Sequence, residues 1–436
     1  MSVPVSEPPG HEDQASIAVL RAHGYRVLDI QSLARDQQPF AVRVSASRRA
    51  IAPGVRFEAR TVELGGGCFT NAFTLRVDLN QVRAEAVCAV DGFHLRDMVI
   101  EDALTAVSGS FSYISDDPSY QPAEPCLDLA CRAGEVTSLP TASKPAFLVH
   151  HRQPMISTLD AAGMLTVQGR AYRWIGSKEP RPDARLQSGI LTVFGAANCQ
   201  VRYSNHPRTG FVRDVDPATN ITPPDPLAVD CVVSWKPGDG HRVTSVHPGG
   251  GANLFAGNFV LRAERPWADH IQEGMEVRII QIGGLEVRHL ESGMSLGPSV
   301  ADAAAGVTPA YDQCLGSSPF RDTRYARTLI GLHERELWFQ VLDGAPLADT
   351  FRGVSPTETA EICAAEGLDP RSVYHLDGGQ SSKIAFIEEG RTRVVGSMHY
   401  LKWPHSPGEP FRWRGLDGRV LRSAFVVKGN RPEGVT

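Results

Sequence analysis

The run His375-Leu376-Asp377-Gly378-Gly379-Gln380-Ser381-Ser382 carries the residue types in this chain that are best suited to chemistry. A short apolar strand over 373–376 is predicted to end at Asp377, which places a carboxylate at a sheet edge. The following glycines tolerate positive φ and lack side chains, so successive N–H groups can face one concavity. With two serine hydroxyls behind them, these groups suit an anionic oxygen such as that of a phosphate. The alternative is a tight turn in which Asp377 bonds nearby backbone.

Two further side chains are candidates for acid–base roles. His375 precedes Asp377 by two residues, so both side chains are expected on the same side of a strand. The alternative for His375 is an ordinary half-buried histidine. Asp343 is a second carboxylate, within Asp343-Gly344, and its alternative is a residue that ends a hairpin.

Clear local signals predict the elements around these residues. The apolar runs at 327–332 and 336–342 are separated by a polar turn and predict a hairpin. Ser355-Pro356-Thr357-Glu358 is a capping box with proline at the first helical position, and predicts a helix to about Glu366 that Gly367 ends. Residues 384–387 and 393–395 predict a second hairpin.

The predicted fold class is α+β, with strand-rich mixed sheets and few helices. From residue 51 onward most segments alternate as strands do, whereas residues 95–107 predict a helix. Residues 298–325 have little periodicity and are a candidate lid. Residues 1–50 are expected to form an N-terminal segment, partly disordered, with a short helix and a strand. Residues 51–436 are expected to form one catalytic domain.

Composition and charge limit the partners. A net charge of −5 and a pI near 6.3 give no electrostatic reason to expect a nucleic acid polymer or an anionic membrane. No segment has the roughly 20 apolar residues that span a bilayer, and the first residues lack a secretory pattern, so we expect a cytoplasmic protein. A homo-oligomer is left open by the sequence.

The eight cysteines form no CxxC and match no zinc module, so free buried thiols are expected. Cys126 and Cys131 are the pair closest in sequence. No metal or other cofactor is expected. One alternative is left open, a Ca²⁺ or Mg²⁺ ion held with a phosphate by carboxylates among Asp377, Asp343, Asp116 and Asp117.

The order of these motifs resembles the phosphodiester glycosidase family. Read backwards from Asp377, the chain has a capped helix, the Asp343-Gly344 turn, a hairpin and the run Ala326-Arg327-Thr328-Leu329-Ile330-Gly331. Family members carry an R-T-A-I-G strand, a V-D-G-R turn, a helix and then L-D-G-G-G-S-S. Ser108-Gly109-Ser110 occupies the position of the family's N-G-G, and the resemblance covers about residues 52–428.

Two departures from the family pattern bear on the substrate. Gln380 replaces the third glycine of the family run. The stretch 412–427 lacks a clear match to the family's arginine-containing ending, for which Arg412, Arg414 or Arg422 is a candidate replacement.

The resemblance implies an enzyme and assigns roles to residues. Asp377 would be a catalytic or substrate-orienting carboxylate, and Arg327 and Thr328 would bind the phosphate, for which the arginine fork is well suited. The pocket would be shaped by Gly378, Gly379, Gln380, Ser381, Ser382, Ser108, Gly109 and Ser110.

The expected activity is hydrolysis of a sugar-1-phosphodiester to free sugar and a phosphomonoester. A small intracellular substrate, such as a nucleotide-linked sugar in bacterial carbohydrate metabolism, is expected. A transferase acting on a sugar phosphate and a catalytically silent sugar-phosphate binding protein are the alternatives.

Overall fold

The structure, a computed structural model, describes residues 43–101, 103–112, 122–132, 134–179, 189–199, 201–203, 213–215, 219–307, 324–344, 350–351, 353–396, 401–402, 412–413 and 420–430. Strands dominate these residues and helices are few, so the prediction of strand-rich mixed sheets is confirmed.

The strands are β1 (Ser47–Ala52), β2 (Val55–Glu63), β3 (Phe69–Asp78), β4 (Val82–Phe93), β5 (Thr105–Ser108), β6 (Ala130–Arg132), β7 (Glu135–Ser138), β8 (Lys144–His150), β9 (Gln153–Leu159), β10 (Ala162–Val167), β11 (Arg170–Gly176), β12 (Ile190–Phe194), β13 (Val201–Tyr203), β14 (Arg213–Val215), β15 (Ala228–Lys236), β16 (Gly240–Pro248), β17 (Phe259–Glu264), β18 (Glu276–Ile282), β19 (Leu285–Glu286), β20 (Leu290–Ser295), β21 (Arg327–His333), β22 (Glu336–Leu342), β23 (Val373–His375), β24 (Lys383–Glu388), β25 (Arg391–Gly396), β26 (Leu401–Lys402), β27 (Arg412–Trp413) and β28 (Leu421–Gly429). The helices are α1 (Leu95–Glu101), α2 (Arg265–Ala268), α3 (Val300–Ala304) and α4 (Pro356–Ala365).

Three antiparallel sheets surround one hydrophobic core. The strand orders are β1-β2-β3-β22-β21-β23, β25-β24-β5-β28-β4 and β7-β6-β20-β8-β9. Aromatic rings from all three sheets meet in this core: the ring centroids of Phe57 and Phe386 are 4.6 Å apart, and Phe425 lies 5.3 Å from Phe339 and 5.2 Å from Phe147. These separations are favourable for aromatic pairs, so the contacts fix how the sheets are placed against one another.

The alternation of residue types explains which face of each strand is buried. In β4 the apolar positions Val82, Ala84, Ala86 and Cys88 are buried and the intervening residues are partly exposed. In β3 both faces are buried, because α4 covers the outer face of its sheet beside β21 and β22. The six-stranded sheet is therefore a middle layer.

Strands β10–β12 and β15–β18 form a closed barrel. Its order is β10-β11-β12-β17-β15-β16-β18, with β19 beside β18, and the pairing of β10 with β18 completes the closure. The pair β11–β12 is parallel. A second core fills the barrel and extends to the β6–β9 sheet through residues such as Trp174, Phe259 and Leu148.

The helix before the candidate run forms as its capping box predicts. The Ser355 hydroxyl accepts a hydrogen bond from the Glu358 N–H at 3.2 Å, and the Glu358 carboxylate accepts one from the Ser355 N–H at 2.9 Å. Gly367 follows the helix with φ +76°, which glycine adopts at little cost. Of the helices in the described ranges, none is both long and apolar enough to cross a bilayer.

Two predicted segments differ from the structure. The helix expected over 95–107 stops at Glu101, because Thr105–Ser108 becomes a central strand between β24 and β28. The candidate lid, 298–325, contains α3, whose N-cap Ser299 accepts from the Asp302 N–H at 3.0 Å. Residues 308–323 of the candidate lid lie outside the described residues.

The elements predicted for the N-terminal segment lie largely outside the described residues. The short helix and strand were predicted within 1–42, of which nothing is described. The expected boundary at residue 50 falls within β1, which pairs with β2.

We expect His241 to make the stability of the barrel depend on pH. Burial lowers the pKa of His241 from 6.5 to about 4, and a hydrogen bond to the Val136 backbone offsets this only in part. The unfolded chain therefore binds the proton first, and stability falls as the pH drops from 6.5 towards 4. The loss due to His241 is about 3 kcal/mol at most.

Urea unfolding of the wild type and of His241→Gln between pH 7 and pH 4 measures this contribution. The variant should lose less stability than the wild type over that range. His247→Gln on the same strand serves as the control. Equal pH slopes for the wild type and His241→Gln would contradict the assignment.

Candidate functional site

The Asp377 run lies where two sheets meet. Strand β23 pairs with β21, and the Leu376 N–H donates to the Thr328 carbonyl at 2.8 Å. The next amide, of Asp377, instead donates to the Gly109 carbonyl, which follows β5, at 3.0 Å. Two segments that the sequence indicated separately are thus joined directly at Asp377 and Gly109.

Glycine is required at two points of this junction. A Cβ at Gly109 would lie 2.6 Å from the Ser423 carbonyl carbon, so β28 can approach only because residue 109 has no side chain. Gly379 has φ +60°, and its N–H donates to the Ala326 carbonyl at 2.7 Å. Residues Gly379–Ser381 form one turn of 3₁₀ helix. The predicted close approach of backbone therefore occurs, and it brings the ends of β21, β23 and β28, from two different sheets, to one junction.

A small cavity of about 10 Å³ lies between these strand ends. It brings together five residues predicted from the sequence, namely Ser108, Gly109, Ser110, Asp377 and Ser381. The remaining lining residues are Ser112, Leu421, Arg422 and Ser423. Arg422 had been only a candidate replacement for the family's terminal arginine, and Ser423 had not been assigned. Sequence reasoning missed Ser423 because a lone serine inside a C-terminal strand carries no local signal.

The hydroxyl of Ser381 differs from that of its neighbour Ser108. The Ser108 oxygen lies 3.2 Å from the Thr328 hydroxyl and accepts from the Lys383 N–H at 3.3 Å. Ser381 is 1% exposed, and its Oγ has no hydrogen-bond partner among the described residues. Leaving a buried hydroxyl unsatisfied costs roughly 1–3 kcal/mol. Since Ser381 also lines the cavity, the cavity is where a ligand oxygen would satisfy it.

Ser382 and Lys383 continue the run into β24. Both are fully buried, and the Ser382 Oγ also lacks a hydrogen-bond partner in the described part of the chain. Sequence reasoning did not single out Lys383, although a lysine opening the apolar strand Lys383–Glu388 is unusual. These two residues lie next to the cavity without lining it.

Arg327 and His375 lie together, apart from the cavity lining. Successive residues of β21 face opposite sides, so Arg327 faces away from Thr328, towards the helix-covered side of the sheet. The Arg327 Nε donates to the Val354 carbonyl at 3.3 Å, and its guanidinium lies 5.8 Å from the centre of the Tyr325 ring. Burial, and then the charge of Arg327, hold the pKa of His375 well below its usual range.

The histidine is therefore neutral at pH 7 and fully buried, rather than half-buried as the alternative interpretation had it. The phosphate-binding role that the family resemblance implies would place Arg327 in one pocket with Asp377. Arg327 and Thr328 are not among the described residues that line the cavity, although the backbone of both adjoins the Asp377 turn.

Asp343 lies at the end of β22, where β22 pairs with the start of β21. It is 7% exposed, and its carboxylate accepts from the Gly344 N–H at 2.7 Å, as a turn residue does. It does not line the cavity. Asp377 is thus the one carboxylate among the described lining residues.

Gly378 completes the turn, and a Cβ there would lie 3.0 Å from the Ala326 carbonyl oxygen. The side chain of Gln380 lies outside the described part of the structure. Asp116 and Asp117, named for a cation, also lie outside it. Within the described ranges no group of three His, Cys, Asp or Glu residues is arranged to hold a metal ion.

Comparison with models of known protein families and with curated proteins finds no match. Solved structures do match. A hypothetical protein from Synechocystis has a TM-score of 0.51 and 14% identity, over 89% of this chain and 64% of that one. A candidate exported protein from Burkholderia pseudomallei has a TM-score of 0.49 and 17% identity, over 83% and 74%.

The catalytic domain of zebrafish N-acetylglucosamine-1-phosphodiester alpha-N-acetylglucosaminidase, auto-inhibited by its pro-peptide, has a TM-score of 0.39 and 12% identity, over 91% and 92%. Of these three likenesses, the one to the Synechocystis protein exceeds a TM-score of 0.5. The fold is therefore shared with that protein, of whose length this chain spans less than two thirds.

Replacing Ser381 by alanine tests whether its hydroxyl serves the fold. Because the Oγ has no partner in the described structure, Ser381→Ala should leave the free energy of unfolding within about 0.5 kcal/mol of wild type, or raise it. Ser108→Ala removes a bonded hydroxyl and should lower it by about 1 kcal/mol. Urea unfolding of both variants compares them directly. A larger loss for Ser381→Ala would mean that the hydroxyl serves the fold.

Proposed function

We propose that this chain is a hydrolase that cleaves the C1–O bond of a sugar-1-phosphodiester. One observation carries the proposal: the buried, unpartnered Ser381 hydroxyl shares a glycine-backed cavity with the Asp377 carboxylate. A hydroxyl donor beside a carboxylate suits a ligand that offers both an anionic oxygen and an electrophilic carbon. The motif order from Arg327 to Ser382, which resembles the phosphodiester glycosidase family, supports the same assignment.

Positive charge for the phosphate would come from Arg422, in the wall of the cavity. A guanidinium can donate two parallel hydrogen bonds to phosphate oxygens. Arg327, to which the family resemblance assigns this role, lies one residue beyond the Ala326 carbonyl that holds Gly379. We propose that Arg327 acts through this turn, by placing the turn and by its charge.

The cavity is far smaller than a substrate in the described structure. Pockets that enclose a drug-sized ligand usually measure about 300–1,000 Å³, whereas this cavity measures about 10 Å³, roughly the space that one water molecule needs. We propose that a substrate binds at the mouth of the cavity, with one phosphate oxygen at the Ser381 hydroxyl and the rest of the molecule beyond the described lining.

The reaction needs few catalytic groups. A phosphate ester is a weak base when it leaves, so protonation of the departing oxygen matters less than for an ordinary glycoside. Water adds at C1, the C1–O bond breaks, and the phosphate group departs with the bonding pair. We propose that Asp377 orients and deprotonates this water or stabilises positive charge at C1. Neutral, fully buried His375 would hold the end of the strand that carries Asp377.

A sugar-phosphate binding protein without turnover is the second candidate. It is favoured by the position of Asp343, the expected second carboxylate, outside the cavity lining. A transferase would use the same site with an acceptor in place of water.

An assay with sugar-1-phosphodiesters and nucleotide sugars separates these candidates. A hydrolase releases free reducing sugar and a phosphate-bearing product in equal amounts. Transfer of the sugar to an added alcohol acceptor would indicate the transferase. Saturable binding without product in any mixture would support the silent binding protein and reject the hydrolase.

Asp377→Asn should lower kcat on the order of 100-fold or more and change KM little, because the amide cannot take a proton or stabilise positive charge. Asp369→Asn is a matched control, since that exposed carboxylate only accepts from the Arg371 N–H nearby. Steady-state kinetics of both variants test the catalytic role of Asp377. Full activity of Asp377→Asn would remove Asp377 from the catalytic role.

Arg422→Ala should weaken substrate binding by roughly 10- to 100-fold, as expected for a lost charge-assisted hydrogen bond. Arg391→Ala, at an exposed position of β25, is the control. Binding is measured by calorimetry on the Asp377→Asn background, so that turnover does not interfere. Unchanged affinity in Arg422→Ala would mean that the phosphate is held elsewhere.

A further inference from the structure

Two buried thiols meet behind the wall of the cavity. Cys88 on β4 and Cys126 before β6 are 7% and 5% exposed, and both belong to the core shared by the three sheets. Both are free cysteines, and their side chains lie close enough to interact. Cys131 is the cysteine closest to Cys126 along the chain, but the fold also brings the distant Cys88 to it.

Both thiols adjoin the two residues of β28 that line the cavity. Cys88 is the register partner of Ser423. The Cys126 sulfur lies 3.8 Å from the Arg422 carbonyl oxygen. Cys126 also forms an isolated bridge with Ser112, another lining residue. A change at this pair of thiols therefore acts on the backbone that forms the cavity wall.

We propose that Cys88 and Cys126 form a reversible disulfide when the chain meets a small-molecule disulfide oxidant, and that this bond fixes the Arg422–Ser423 wall of the cavity. Both thiols lie against the same two residues of β28, so side-chain rotations can bring the sulfur atoms to the bonded distance of about 2 Å. Formation of the bond does not depend on the activity proposed above; its effect on catalysis does rest on that proposal.

The chemistry balances through thiol–disulfide exchange. The thiolate of one cysteine attacks the oxidant, forms a mixed disulfide and releases one small thiol. The second cysteine then displaces the other small thiol and closes the Cys88–Cys126 bond. The protein gives up two electrons and two protons, and the oxidant is reduced to two thiols.

We expect the two cysteines to react while the chain is unfolded rather than in the native fold. The hydrogen bond with Cys88, and then burial, raise the pKa of Cys126 well above its usual range, so little thiolate exists in the folded state. Refolding in an oxidising buffer exposes both thiols before the core closes. The native fold then holds them together, which favours their bond over others.

Cys131 provides a matched control. It lies on β6, is 1% exposed, and burial raises its pKa to about 12. Cys131 also lies near Cys88, so an unselective pairing of buried thiols would join Cys88 to Cys131 as well as to Cys126.

The experiment refolds the full chain from denaturant in buffers that range from reduced to oxidised glutathione. Remaining thiols are alkylated, and cross-linked peptides are identified by mass spectrometry. A Cys88–Cys126 peptide should appear in oxidised buffer, disappear after reduction and persist in Cys131→Ser. Separate alkylation of Cys88 and Cys126 under all conditions, or a bond from either to Cys131, would overturn the proposal.

Steady-state kinetics of the oxidised and reduced protein then test the effect of the disulfide separately from the proposed hydrolase activity. If the oxidised wild type and the reduced wild type differ in KM for a sugar phosphodiester, while Cys88→Ser is insensitive to glutathione, the bond acts on the wall of the cavity. Equal KM in the two states of the wild type would overturn the effect on the wall. If no substrate turns over, the urea midpoints of the two states report the bond, and a higher midpoint is expected for the oxidised chain.

Discussion

A backbone hydrogen bond from the Asp377 N–H to the Gly109 carbonyl, 3.0 Å long, joins the six-stranded sheet to the sheet that contains β5 and β28. Gly109 in turn donates to the Ser423 carbonyl at 3.0 Å. The ends of three strands from distant parts of the chain are thereby held as one unit. The spacing between them leaves the cavity, so its shape depends on backbone contacts that only a residue without a side chain allows at position 109.

Several buried charged groups elsewhere in the fold are paired with each other, and the Ser381 hydroxyl can be compared with them. Buried Asp230 accepts from the Nε and Nη2 of Arg262 at 2.7 and 2.9 Å, and Glu124 accepts twice from Arg132 at 3.0 and 2.9 Å. Other buried polar atoms of the described residues also lack a hydrogen-bond partner, among them the Nε of Arg132 and the Oγ of Ser382. What distinguishes Ser381 is that it lines a cavity together with the Asp377 carboxylate.

Local sequence signals predicted the helices and strands around the site, but they did not predict how those elements pack together. The hairpin of β21 and β22 and the capped helix α4 follow from alternation and from Ser355 and Glu358, which act within a few residues. Asp377 and Ser381 were predicted because their run directly follows an apolar strand, whereas Ser108, Gly109 and Ser110 were predicted only from their position in the family resemblance. Ser423 was not, since its place depends on pairing with β4 and β5, which lie far away along the chain.

The alternation of side chains between the two faces of a strand explains why the sequence alone did not predict where the Arg327 side chain lies. The sequence shows that Arg327 and Thr328 begin a strand, but not which of the two faces the neighbouring sheet. The fold turns Thr328 towards Ser108 and Arg327 towards the helix. The closure of the barrel was likewise invisible, because the register between β10 and β18 has no local signature.

The hydrogen bond from the Ser423 hydroxyl to the Ser110 carbonyl spans 313 residues of chain. During synthesis, the first half of the wall is made long before the second half leaves the ribosome. The cavity therefore does not exist on a growing chain until β28 has emerged and inserted between β4 and β5. A product that stops short of Arg422 lacks β28, so β4 and β5 are left without the strand that pairs with both of them.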